Sequence, residues 1–220
     1  MTEPTVLVSS HGSFGRIELS RPAKRNALDN ASALVISQAL ADFAEDPGCR
    51  GIVLCGTGGN LCSGADLKDP SNVAPGMVSP RMALLADLSR CPLPVVAVVD
   101  GWAVGLGVAM AAACYATVVT SRARFRLPEA STGIFPTDLT AYLAARMRPR
   151  DVADLILTGR DVDAQEALHT GLATAQAEPE TAQAVALGIL ESVTRPARAV
   201  VAQTLAWLAR EENRGGNHAD

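Results

Sequence analysis

Residues 94–129, PVVAVVDGWAVGLGVAMAAACYATVVTSRARFRLPE, decide the fold. The stretch opens on Val95, Val96, Ala97, Val98 and Val99, a β-branched run too short for a helix and apolar enough for a buried strand. Gly101, Gly105 and Gly107 follow at close spacing, where the backbone can turn and approach in ways a Cβ forbids. Residues 108–114, VAMAAAC, are small and apolar and predict a helix packed on all sides. The first amides of such a helix lack internal partners and stand at the positive end of its dipole. A turn of this kind holds negative charge, either a bound phosphate or an oxyanion that develops during a reaction. The same glycines also suit tight strand–helix packing with no further role. The dinucleotide fingerprint is not met: Met110 replaces its third glycine and no acidic residue follows at the expected distance.

Around this stretch, 220 residues give room for one domain with a sizeable core. A formal net charge of −4 gives no reason to expect nucleic acid or a membrane surface as a partner. No apolar run is long enough to span a bilayer, and residues 1–10 lack the basic and apolar regions of a signal peptide. Cys49, Cys55, Cys62, Cys91 and Cys114 are odd in number and contain no CxxC pair. With three scattered histidines they make neither a zinc site nor a disulfide set, so a reducing cytoplasm and no metal are expected.

Residues 5–9 and 15–19 read as a hairpin closed by Arg21–Pro22, since proline cannot continue a ladder. A loop bearing Lys24 and Arg25 leads to a helix starting at Asp29 or Asn30, with Leu34, Val35, Ala39 and Ala41 in its apolar pattern, and stopping at Asp46, Pro47 and Gly48. Residues 51–55, GIVLC, are a second short buried strand. In GTGGNLCSGADLKD, residues 56–69, the glycines let backbone amides face a ligand, and residues 65–67 read as the opening of a short helix. The P-loop spacing from Gly59 to Gly64 is present, but Ala65 and Asp66 replace its Lys and Ser/Thr, which argues against nucleoside triphosphates. Residues 71–79 read as a mobile loop and 81–90 as an amphipathic helix with Met82, Leu85 and Leu88 on one side. Residues 116–120 and 124–127 read as strands, and 137–147, 150–158, 164–169 and 180–210 as mostly helical. No internal repeat is visible. The expectation is an α/β core over residues 1–150 with a helical C-terminal region over 151–220.

Five segments, IELSRPAKRNALD, IVLCGTGGNLCSGADL, PLPVVAVVDGWAVGLG, FRLPEASTGIFP and LILTGRDVDAQEALHTGLA, resemble in order and spacing the enoyl-CoA hydratase/isomerase (crotonase) superfamily. The resemblance covers nearly the whole chain and implies a crotonase-like spiral of ββα turns with a helical C-terminal part, assembled as a homo-oligomer, a trimer or hexamer. It also implies an acyl-CoA thioester as substrate, with coenzyme A entering as part of the substrate and no other cofactor. Two backbone amides, matched here to Ala65 and Leu106, would polarise the thioester carbonyl and stabilise the enolate. Fixed dipoles do this without reorganising as charge develops. Lys24, Arg25, Ala27 and the loop of Ser63, Gly64, Asp66 and Leu67 would hold the CoA moiety, with Gly105 and Pro128 beside the thioester.

The acid–base pair departs from the family's hydratases, which resemblance says carry two glutamates. Ala109 stands at the first position; the second is matched by Glu129 after Pro128. One carboxylate in apolar surroundings suits proton shuttling between two carbons better than orienting water, which favours an enoyl-CoA isomerase. Asp138 either reaches the same pocket or caps the helix that starts there. Thr137, Asp138, Leu139 and Thr140 replace glycines usual in the family, Leu106 adds a side chain beside the thioester, and the chain ends earlier than typical members. Two alternatives stand beside the isomerase: a non-catalytic acyl-CoA binding protein, and an enolate-forming decarboxylase or carbon–carbon bond-forming enzyme.

Overall fold

The computed structural model describes residues 3–69, 78–133, 136–144 and 146–216. The expected loop at 71–79 therefore lies outside the described residues except for Val78 and Ser79, as do Ile134, Phe135 and the side chain of Asp138.

The chain opens with a hairpin of β1 (Val6–His11) and β2 (Phe14–Leu19), Val6 opposite Leu19. Next comes α1 (Asn30–Glu45), which starts where Asp29 accepts the Ser32 N–H at 2.7 Å, satisfying one of the orphan amides of the first turn. Strand β3 (Gly51–Gly56) leads to α2 (Pro80–Arg90), β4 (Val95–Val99), β5 (Trp102–Val104) and α3 (Leu106–Ala113). Strands β6 (Ala116–Val119) and β7 (Arg124–Arg126) then precede α4 (Thr137–Ala144) and α5 (Pro149–Thr158). Two short strands, β8 (Val162–Asp163) and β9 (Ala175–Gln176), flank α6 (Ala164–Thr170), and α7 (Ala182–Val193) and α8 (Arg198–Gly216) close the chain.

Six strands form one sheet in the order β1-β2-β3-β4-β6-β9, parallel except for the first hairpin, and β5-β7-β8 form a second. Each turn of chain lays one strand in the first sheet, bends, adds a segment to the second layer and returns through a helix. In the middle turn β4 is followed by β5 and α3. In the earlier turns the second segment is reduced to single parallel bridges, Leu28 with Ala65 and Cys62 with Ala103. The result is a ββα spiral.

Unbroken apolar strands follow from burial on both faces. Ile52, Leu54, Val95 and Val99 pack towards α1, α2 and α3, while Val53, Cys55, Val96 and Val98 pack against Ala182, Ala186 and Leu190 of α7. Helix α3 is buried nearly all round, as its composition predicts.

Three sequence expectations are corrected. The buried face of α1 is Ala33, Ile36, Leu40 and Phe43, not the Leu34/Val35 side; those two are 58% and 45% exposed. The spacing of three, four and three residues on the true face brings one stripe against the sheet. Residues 65–67 open no helix, because Ala65 is bridged to Leu28 in extended backbone. Residues 102–104 form a strand that the glycine-rich context masked.

Candidate active site

The site forms where the second segments of successive turns run side by side. Leu61 donates its N–H to the Trp102 carbonyl and Val104 donates to the Cys62 carbonyl, both at 2.9 Å, so the loop at 61–67 is zipped to β5. A Cβ on Gly107 would collide with the Cys62 carbonyl oxygen, so this approach requires glycine. On the loop's other edge Leu28 donates to Gly64 at 2.9 Å, and Asp66 donates to Leu28 at 2.8 Å. Alternate amides of an extended segment point in opposite directions, so the Ala65 N–H faces away from Leu28. Leu106 is the first residue of α3, preceded by Gly105 at φ 52°, whose carbonyl accepts the Val108 and Ala109 N–H groups. Among the described residues neither the Ala65 nor the Leu106 N–H has a hydrogen-bond partner.

The parallel pairing of β5 with β7 sets Val104 opposite Arg126, and Gly105 donates its N–H to the Arg126 carbonyl at 2.9 Å. The chain leaving β7 therefore passes through Pro128 into a 3-10 turn, Glu129–Thr132, beside the start of α3. Gly105, at φ 52°, stands in backbone that favours glycine, and a Cβ there would displace Glu129 Oε1. Burial pushes the half-buried Glu129 carboxyl above its ordinary range. A cavity of about 390 Å³ joins these parts: Ser63, Gly64, Ala65 and Leu67 from the loop, Val104, Gly105 and Leu106 from the turn, Pro128 and Glu129, Ser79, Arg81 and Met82 from the start of α2, and Leu139 of α4. Ala109 lies one helical turn in from Leu106 and is fully buried.

Of the site residues expected from the sequence, Ser63, Gly64, Ala65, Leu67, Gly105, Leu106, Pro128 and Glu129 are thus brought to one cavity. Lys24, Arg25, Ala27 and Asp66 do not line it. They form an adjoining loop, attached where Ser63 donates its N–H to the Arg25 carbonyl at 3.1 Å and its hydroxyl to the Lys24 carbonyl at 3.0 Å. The Asp66 carboxylate faces this loop, 2.8 Å from Lys24 Nζ and 2.9 Å from an Arg21 Nη. Hydrogen bonding to Lys24 is the main cause that holds the Asp66 carboxyl at about 2, with burial opposing and Arg21 adding to it. Asp138 is the second residue of α4, inside the helix rather than ahead of it, and its side chain lies outside the described residues.

Sequence reasoning missed Asn26, fully buried and at φ 58°. Its carboxamide accepts the Arg21 N–H and donates to the carbonyls of Thr57 and Asn60, locking the Lys24 loop onto the site. An asparagine between Arg25 and Ala27 was a usable signal, since asparagine tolerates the left-handed region. Arg81 and Met82 were also missed as lining residues. They come from a helix whose own pattern only announces a core face.

A family model described as enoyl-CoA hydratase/isomerase matches residues 10–216. The chain belongs to the enoyl-CoA hydratase/isomerase family, within the crotonase superfamily. Among family relatives it is 33% identical over 185 residues to the peroxisomal bifunctional enzyme of Danio rerio, covering 84% of this chain and 25% of that protein's length. It is 32% identical over 205 residues to the mitochondrial enoyl-CoA hydratase domain-containing protein 3 of Danio rerio, covering 89% of this chain and 69% of that one. The crystal structure of an enoyl-CoA hydratase from Mycobacterium avium superposes with a TM-score of 0.85 at 27% identity, covering 99% of this chain and 87% of the other. Family membership points to acyl-CoA thioester chemistry.

Proposed function

We propose that this chain is an acyl-CoA enzyme that stabilises a thioester enolate, and that it is an enoyl-CoA isomerase with Glu129 as its single proton carrier. The Ala65 and Leu106 N–H groups donate to the thioester carbonyl oxygen, each contributing roughly 3–4 kcal/mol as charge builds there. Glu129 removes a proton from the α-carbon of a 3-enoyl thioester, giving a dienolate. The same carboxyl returns the proton to the γ-carbon, leaving a 2-enoyl thioester with no net change in atoms or electrons. A carboxyl whose pKa is raised by burial is matched to this shuttle. The loop of Lys24, Arg25 and Ala27, with Asp66 anchoring it, receives the CoA moiety, and Asp138 belongs to the acyl side of the same pocket.

The observation that carries the isomerase reading is the contrast between two neighbours of Leu106. Glu129 Oε1 packs against Gly105, while the α3 position that the resemblance matches to the hydratases' other glutamate holds the buried methyl group of Ala109. The test offers the protein matched 3-enoyl-CoA and 2-enoyl-CoA thioesters and follows products by mass. Double-bond migration without addition of water is expected. Hydration of the 2-enoyl thioester at a rate rivalling isomerisation contradicts the reading. Thr137 and Thr140, where the family has glycines, favour a second reading, a non-catalytic acyl-CoA binding protein, which the same assay reveals as saturable binding without turnover. Assembly as a trimer or hexamer belongs to the proposal; it is supported by exposed Val200, Trp207 and Leu208 on α8 and is read by light scattering.

A further inference from the structure

The cavity contains two charged residues among those described, Glu129 and Arg81, in walls otherwise dominated by Leu67, Met82, Leu106 and Leu139. The isomerase reading gives Glu129 a task and leaves Arg81 without one. We propose that Arg81 is a specificity-determining residue that receives a carboxylate borne by the acyl group, so that the substrates are thioesters of dicarboxylic acids. This rests on the acyl-thioester reading given above.

The side chain is placed and only partly used. Ser79 caps α2 by accepting the Met82 N–H at 3.3 Å, which fixes the turn that carries Arg81. Arg81 Nη1 donates to the Asp66 carbonyl at 3.2 Å and stands 3.8 Å from Asp69 Oδ2. The second distance is beyond a hydrogen bond, so Asp69 orients the guanidinium by charge without occupying its donor fork. Asp69 Oδ2 itself accepts the Asn30 N–H at 2.8 Å. Among the described residues Nε and Nη2 of Arg81 donate to nothing, although the side chain is only 21% exposed.

A guanidinium presents parallel N–H groups in a planar fork that matches a carboxylate with two hydrogen bonds. A wholly apolar acyl chain filling this cavity would strip water from those donors and replace it with nothing, a costly exchange. A carboxylate at the end of the acyl group satisfies them while the methylene segment lies along Met82, Leu106 and Leu139. The diphosphate of coenzyme A is the other oxyanion source that a guanidinium at this rim accepts, so the test removes it.

The experiment measures binding of glutaryl-pantetheine and valeryl-pantetheine, which match in carbon number and lack the CoA phosphates, to the full chain and to its Arg81→Met and Arg81→Lys variants. The expected result is at least about tenfold tighter binding of the glutaryl thioester by the wild type, on the scale of one charged hydrogen-bonded pair. Arg81→Met should erase the preference, Arg81→Lys should restore part of it, and valeryl binding should be held or tightened in both. Thermal melts of the variants separate loss of recognition from loss of fold, and the wild-type preference needs no variant. Equal wild-type affinity for the two thioesters overturns the proposal and leaves the acyl-thioester reading standing. A preference that survives Arg81→Met overturns it too. So does an Arg81 effect seen only with CoA esters, which assigns the guanidinium to the diphosphate. Absence of binding by any pantetheine or CoA thioester brings down the acyl-thioester reading and this proposal together.

Discussion

The two sides of the cavity are built by different means. On one side, the Ala65 and Leu106 amides are set by backbone: Leu61 to Trp102, Val104 to Cys62, Leu28 to Gly64 and Asp66 to Leu28. Gly107 allows a backbone approach to the Cys62 carbonyl that no side chain survives, and Gly105 supplies the positive φ of the turn. On the other side, Glu129, Arg81, Met82 and Leu139 are side chains brought in by three elements, the 3-10 turn after β7, α2 and α4. The first side is part of the fold and can do little but offer two N–H groups. In the proposed reaction the second decides what is done with them. Substitution of Ala109, deep in α3, belongs with the second side, because a buried helix position accepts a methyl group more cheaply than a carboxylate.

Breaking the backbone side is expected to have the largest effect. Gly107→Val drives a branched side chain into the Cys62 carbonyl and parts the two loops. A loss of about 3 kcal/mol or more is expected, as for severe overpacking, read by urea denaturation, together with loss of thioester binding. Next in size is Asp66→Asn, which removes the acceptor shared by Lys24 and Arg21 and should cost about 1.5–3 kcal/mol at neutral pH. Its carboxyl is at about 2 when folded and 3.8 ordinarily, so its stabilisation is full above pH 4 and is lost as pH falls towards 2. Urea midpoints of wild type and variant should therefore converge over that window. Smaller again is Asp29→Ala, which uncaps α1 and should cost about 1 kcal/mol with the cavity intact.

The side-chain wall should behave in the opposite sense. Glu129 has a raised folded pKa, so the folded state is least penalised below the ordinary carboxylate value and loses stability as pH rises through the folded one. Glu129→Gln escapes that loss. Its melting temperature should match wild type at pH 4 and exceed it at pH 7, while activity is lost. A destabilised Gln variant at neutral pH would place Glu129 among the structural residues.

How much of this could be read from the sequence divides along the same line. Strands β3 and β4 were legible because α7 and the first three helices bury both of their faces, leaving continuous apolar runs. The start of α1 at Asp29 or Asn30, the buried α3 and the glycine turn were legible because local chemistry demands those residues. Strand β5 was not, since three residues gain their identity from distant partners, Trp102 opposite Arg124 and Ala103 bridged to Cys62. The ββα repetition left no sequence repeat, because what recurs is a bend and a bridge position rather than a residue type. The loop carrying Ala65 was misread as a helix start for the same reason: its extended form comes from Leu28, 37 residues earlier in the sequence. Side chains of the wall were the least legible, because Arg81 and Met82 reach the cavity through the placement of a whole helix.

In the proposed reaction two backbone amides and one carboxylate make and use a thioester enolate. Exchange of the α-protons of a saturated acyl-CoA with deuterated solvent tests it most directly, wild type against Glu129→Gln at equal occupancy. Exchange is expected in the wild type, with a fall of about 10²–10⁴-fold in the variant and binding retained. Equal exchange in the two proteins, or none in a wild type that binds the thioester, would contradict it.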